Sequence, residues 1–548
     1  MADLPHRAIA DRIAEHLRRG ELLDLAPDLA LGPLVDEGVM TSWDGTRSIA
    51  ADDLRDLLRG RVVTDPDPRG LRLRAARIHG RLDLDNLTTT VKLTLLDCLL
   101  DEGITAEAAH LPGLSLRRCL LTHPSKPALY ADELRADAGV SFDGSTILAS
   151  TAEGAMRMIG AQIGGELDCS GATITNPSGP ALHGERLQVA GNVSLKGGFT
   201  ADGDGELGAV RLAGARIGGH LDCSGATIRN RSGPALRAGG GFQVVGRVFL
   251  RSGFIADGAG ERGAVRLAGA QIGGELDCSG ATITSPSGPA LHGEDLQVAG
   301  NVSLKGGFTA DGDGELGAVR LAGARIGGKL DCSGAVVGSR SDPQHRWALD
   351  GLTYTGLPLD PLGNGRVGWL DLFRTATPAY AAQPFQQLAS VYRAAGHDRD
   401  VRQILVAQRQ TQLDRGVLTG RGDRLWARTT GVTVGYGYQP WRALLFLLGV
   451  VVISVVLAVT LGSHGALVHP QDPKNPTAAT IPCTVTERVD VGFEVGAPFL
   501  DTHARDRCTT TNTVTGIALS YSISGLQLLT AALAALFIAG FTGIVRKT

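Results

Sequence analysis

The decapeptide Ile-Gly-Gly-x-Leu-Asp-Cys-Ser-Gly-Ala begins at Ile163, Ile217, Ile272 and Ile326, so the chain repeats itself every 54 or 55 residues. Residues 161 to 219 and 270 to 328 differ only where Asn176 becomes Ser285 and Arg186 becomes Asp295. A unit this short cannot bury an apolar face alone and must stack on its neighbours, which restricts the chain to a solenoid or a related array.

A finer beat lies inside each unit. Val210-Arg-Leu-Ala-Gly, Ala215-Arg-Ile-Gly-Gly, His220-Leu-Asp-Cys-Ser and Gly225-Ala-Thr-Ile turn an apolar residue inward about every five positions. Five is neither the helical period nor the alternation of a flat strand. It is the interval of a mainly β fold, the right-handed parallel β-helix of pentapeptide-like type, in which short extended segments meet at corners. Composition agrees: 75 glycines against 13 Phe, 7 Tyr and 5 Trp favour tight corners over a large aromatic core. The second half of each unit, Leu187 to Phe199, echoes the first, so one unit should make two coils. Degenerate copies from Arg77 to Leu84 and from Val140 to Ile147 extend the β-helix over 70–356. At the ordinary strand spacing, a dozen coils give a rod of roughly 55 to 60 Å. Helical patterns within residues 1–60 predict a cap on one end, and the helical segment after Trp369 predicts the other.

Net charge is −3, with both signs interspersed. That evenness excludes a basic nucleic-acid footprint and equally an acidic rod that mimics DNA, so no nucleic-acid partner is expected. Residues 1–60 carry mixed charges and no apolar stretch of signal-peptide length, which predicts a cytoplasmic N-terminal part.

Several segments imitate chemistry. Gly-x-Gly-x-x-Gly occurs at Gly203, Gly258 and Gly312, but Ala-Val-Arg-Leu-Ala-Gly follows each copy and opens another coil, not the helix a dinucleotide fingerprint needs. Asp202, Asp204 and Glu206 alternate as in a calcium loop, yet the second copy has Ala259 in the middle and no bidentate Glu follows. Cys169, Cys223, Cys278 and Cys332 recur at one repeat position; separated by two coils, or roughly 10 Å, they are predicted to be a ladder of small buried side chains. His183 and His292 are merely repeat-equivalent. No catalytic residue, metal site or cofactor is expected, and no cofactor-binding residue can be assigned.

After the last coil, Pro384 to Gly396 and Asp398 to Gln412 predict a helical hairpin neck within 369–430. Residues 443–461 and 523–544 are long and apolar enough for two transmembrane helices. Arg415, Arg421, Arg424, Arg428 and Arg442 precede the first, and Arg546 and Lys547 follow the second, predicting a two-span cell-membrane protein with both termini cytoplasmic. The segment 463–520 is then an extracytoplasmic loop, and its Cys483 and Cys508 are a candidate disulfide. Thr433-Val-Gly-Tyr-Gly437 spells a potassium selectivity filter but precedes the first span. Tyr436, Tyr438 and Trp441 are therefore expected as membrane-interface anchors.

The Ile-Gly-Gly-x-Leu-Asp coils, Gln387-Leu-Ala-Ser-Val-Tyr-Arg-Ala-Ala-Gly-His-Asp398 and Thr433-Val-Gly-Tyr-Gly-Tyr-Gln-Pro-Trp-Arg442 together resemble an actinobacterial family of β-helix membrane proteins often labelled membrane-associated oxidoreductases. The resemblance spans most of the chain and implies architecture and location. Its label implies redox chemistry, for which this sequence holds no residue assignable to flavin, nicotinamide, haem or iron–sulfur binding. The leading expectation is a membrane-anchored scaffold that meets the lipid bilayer and another protein or a second copy of itself; an oxidoreductase and an oligomeric pore are the alternatives.

Overall fold

The computed structural model describes residues 4–27, 37–43, 46–313, 317–338, 346–356, 358, 366–377, 380–470, 481–497, 500 and 502–542. The chain divides into two compact units, Met1–His397 and Asp398–Thr548.

The first unit is a parallel β-solenoid of about eleven turns. Its wall has four faces, sheets of 12, 12, 11 and 10 strands among the described residues, here called faces I to IV in chain order. One turn shows why the five-residue interval produces them. Leu221 and Cys223 point inward from face I, Ala226 and Ile228 from face II, Leu236 and Ala238 from face III, and Phe242 and Val244 from face IV, all fully buried or nearly so. Each face thus supplies two inward residues and then bends. Leu221 pairs with Val248 and Val248 with Leu276, so the two turns expected per unit are present.

The corners explain the glycines. Between faces IV and I, a Cβ on Gly218 would lie 2.2 Å from the Ala190 carbonyl oxygen of the adjacent turn, so only glycine fits there. Between faces II and III, a loop is anchored by Asn176, whose buried Nδ2 donates to the carbonyls of Thr151 at 2.8 Å and Pro180 at 2.7 Å. The Gly203–Gly208 segment continues a strand, Thr200–Gly203, and leads to the strand Val210–Arg211, as a corner loop should. Residues 314–316 of its third copy lie outside the described residues.

Helices stand at both ends of the solenoid. At the start stand helices α1 (Leu4–Arg19), α2 (Glu37–Thr41) and α3 (Ala51–Leu58). Strands Leu23–Asp24 and Ser48–Ala50 from this region also pair with the first turns of faces I and II, so the cap joins the sheets it covers. At the far end lie α4 (Arg366–Thr375) and α5 (Gln383–Ala394). Their Trp369, Phe373 and Phe385 form a run of ring contacts continuing from Tyr354 in the last strand of face IV. Gln387 Nε2 donates to the Tyr354 carbonyl at 2.6 Å and Gln383 Nε2 to the Leu352 carbonyl at 2.8 Å. Backbone groups that would otherwise recruit another strand are thereby satisfied.

The second unit is helical: α6 (Asp398–Asp414), α7 (Arg421–Val434), α8 (Trp441–Leu461), α9 (Val485–Gly496), α10 (Ala504–Arg507) and α11 (Val514–Phe541). Two stretches are long and apolar enough to cross a membrane, Trp441–Ala466 with mean hydropathy 3.1 and Val514–Phe541 with 1.9. The second starts nine residues earlier than the hydropathy reading placed it. Ser522 and Ser524 dilute the apolar run there, but their hydroxyls donate to the carbonyls of Ala518 and Ser520 four residues back and sit within the helix. Ile544, Arg546 and Lys547 lie outside the described residues.

The segment read as an external loop contains α9, which runs antiparallel along α8. A Cβ on Gly492 would lie 2.5 Å from Val455 Cα, and one on Gly496 would lie 2.6 Å from Val451 Cα. Buried Ser454 Oγ donates to the Gly492 carbonyl at 2.6 Å. Two glycines one helical turn apart let the backbones meet, as in packed membrane helices.

Candidate functional site

The surface of face IV differs from a mixed-charge protein surface. From Arg135 to Arg325 the exposed residue of every strand is Gln or Arg: Gln162, Gln188, Arg216, Gln243, Gln271 and Gln297 lie between, each in register with the next. Gln243 Nε2 reaches Gln271 Oε1 at 3.4 Å. Two positions on, the exposed column from Gly164 to Gly327 is Gly, Ala or Val. Two shallow depressions of about 720 and 550 Å³ run along these columns and share Gln243 and Val245. The result is a smooth strip with amide donors and acceptors at strand spacing, positive charge at Arg135, Arg216 and Arg325, and no carboxylate in either column from Gln162 onward. A five-residue repeat scanned for outward residues as well as inward ones carries this signal; a search for catalytic spacing does not.

No known protein family, curated protein or solved structure matches the chain. The strip's chemistry must therefore speak for itself. At its N-terminal end His110 Nε2 lies 2.8 Å from Asp137 Oδ1, both side chains exposed, and from Gln162 onward the two columns offer amides, guanidinium groups and small residues that can hydrogen-bond along a line.

His183 and His292, which looked merely repetitive, tie adjacent turns together on face III. His183 Nδ1 lies 3.1 Å from the Glu153 carbonyl and His292 Nδ1 lies 2.7 Å from that of Arg262. Beside His183, Arg211 pairs with Glu185 at 2.6 Å. Burial, with Arg211 and Arg157 nearby, holds the His183 imidazole below its usual range. The Cys169, Cys223, Cys278 and Cys332 column is buried and free of disulfides, and burial pushes the first three thiols far above the ordinary range.

In the second unit, Thr433 and Val434 end α7, and the next three residues take positive φ: Gly435 at 54°, Tyr436 at 54° and Gly437 at 80°. Tyr436 N–H donates to the Thr430 carbonyl and Gly437 N–H to that of Val434, so the filter-like letters form a helix stop and its turn. Trp441 is exposed at the first residue of α8, whereas Tyr436 and Tyr438 are half-buried in the turn before it. Cys483 and Cys508 are brought together in a disulfide with Cα atoms 6.3 Å apart, within the usual range. They sit in a small core with Ala466, Leu467, Val491, Val495 and Leu519.

Proposed function

We propose that the chain is a membrane-anchored scaffold whose solenoid lies in the cytoplasm and whose face IV takes a protein partner through an extended acidic segment. The observation that carries this reading is the unbroken Gln/Arg column from Arg135 to Arg325, flanked from Gly164 onward by a column of small residues. Helix α5 covers the last strand of face IV, so strand addition at that end of the face is blocked and a partner comes from the side. Exposed ion pairs contribute only about 0–1 kcal/mol each. Affinity on such a strip must come from many parallel hydrogen bonds, which a linear repeat supplies. The exposed arginines of α7 before the first apolar helix support a cytoplasmic solenoid with both termini on that side.

The test is photo-crosslinking in membranes, with the reactive residue at Gln243 on face IV or at exposed Arg229 on face II. The reading expects adducts at 243 and not at 229, abolished by the double change Gln271→Glu and Gln297→Glu. Adduct mass separates a second copy of the chain from another protein. Equal adducts from both faces, or adducts indifferent to the added carboxylates, sink the proposal.

A further inference from the structure

We infer that His469, Cys483, Glu487 and Cys508 form a metal site that takes one zinc ion in the dithiol form of the protein. One ligand atom from each of the four lies within 4.8 Å of every other. They come from separate places in the chain. His469 follows the strand Leu467–Val468, and Cys508 precedes Thr509–Thr510, which pairs antiparallel with it. Cys483 is held beside them by the Val468–Pro482 bridge, and Glu487 stands in the first turn of α9.

Two thiolates, an imidazole and a carboxylate are a tetrahedral zinc donor set. With zinc–sulfur bonds of about 2.3 Å, the two sulfurs of such a site stand roughly 3.8 Å apart, a separation that fits inside this cluster once the S–S bond is opened. The sulfurs are buried, while His469 and Glu487 are half-buried at the rim, with His469 Nε2 3.3 Å from Glu487 Oε2. Neither residue is needed to make a disulfide. Glu487 Oε2 also accepts from Thr484 N–H at 2.8 Å as part of the α9 cap, which leaves the carboxylate a second oxygen for a cation. Cys483 immediately precedes that cap, where the positive end of the helix favours a thiolate.

Entry to the site is a thiol–disulfide exchange. The Cys483–Cys508 bond breaks, two electrons and two protons pass to its sulfurs from an external dithiol, and that dithiol closes to its own disulfide. Zinc then displaces the two protons. The inference stands independently of the scaffold reading.

The experiment is a cobalt titration of the full chain in detergent, reduced with a phosphine and desalted without air. Tetrahedral ligand-field bands and a thiolate charge-transfer band saturating at one cobalt per chain, displaced by zinc, are expected. His469→Ala should weaken binding about tenfold or more. Glu487→Gln should weaken it as well, and because Gln also serves in a capping box it spares the helix end. The unreduced chain should give no thiolate band. No saturation at one equivalent, or both variants binding as tightly as the wild type, would overturn the site.

Discussion

Arg74 and Asp97 face each other inside the first turns of the solenoid, with Nε 3.0 Å from Oδ2 and only 3% of either side chain exposed. Arg118 also pairs with Asp97 at 2.7 Å, and Arg74 reaches Asp24 in the cap strand at 2.7 Å. The network fastens the N-terminal cap to the wall. Asp97→Ala takes one carboxylate from buried Arg74, which keeps Asp24, and breaks the Arg118 pair, at a cost of about 1.5–3 kcal/mol. A thermal melt should shift down markedly, and hydrogen exchange should rise first in residues 71–118. A melt that matches the wild type would show that water replaces the pair.

Ser285 occupies the place of Asn176 in the duplicated block, and its buried hydroxyl has no hydrogen-bond partner among the described residues. Asn230, at the same place in the intervening unit, donates to the carbonyls of Gly205 at 2.7 Å and Pro234 at 2.8 Å. Ser285→Asn should restore such a pair to Gly260 and Pro289 and stabilise the chain by about 1 kcal/mol, read as a higher melting temperature. The reverse change, Asn230→Ser, should lower it.

His183 gives stability a pH dependence with a definite sign. Its folded value is depressed by burial, so it stays neutral in the solenoid, while the unfolded chain takes up a proton as pH falls through about 6.5. Its contribution is complete above that pH and is lost as pH falls toward the folded value. Melts at pH 7.5 and 5.5 should show a smaller acid-induced drop in His183→Asn than in the wild type. Equal drops would place the sensitivity elsewhere.

Thiol labelling separates the two classes of cysteine. The six cysteines outside the disulfide are buried, and none should react with a maleimide until the solenoid unfolds. Cys483 and Cys508 should label only after reduction. In intact cells, an impermeant reductant followed by an impermeant maleimide should reach them if the segment after α8 is external, and label nothing if it faces the cytoplasm.

The solenoid was legible because every turn obeys one rule: an apolar residue such as Ile217 or Ile272 must point inward at a fixed interval, and that interval defines the turns, while the switch to helical patterns marks the caps. The outward residues obey no burial rule. Gln243 and Arg216 look like ordinary surface residues until register stacks them into a column. The second unit was less legible for a different reason. Gly492 and Gly496 pack α9 against α8 through the absence of side chains, which leaves no hydropathy signal. The cluster at His469 depends on three segments converging, and its spacing of 14, 4 and 21 residues matches no compact ligand motif.

The near-identity of residues 161–219 and 270–328 makes this solenoid a ruler graduated in fixed steps. Removing 161–269 would join Gly160 to Ala270, a junction with the same residue types as Gly160–Ala161, and withdraw four turns, about 19 Å of rod at strand spacing. Both caps would meet the turns they meet now. The reach of the rod can therefore change by unequal exchange between the two blocks, with no new interface to invent.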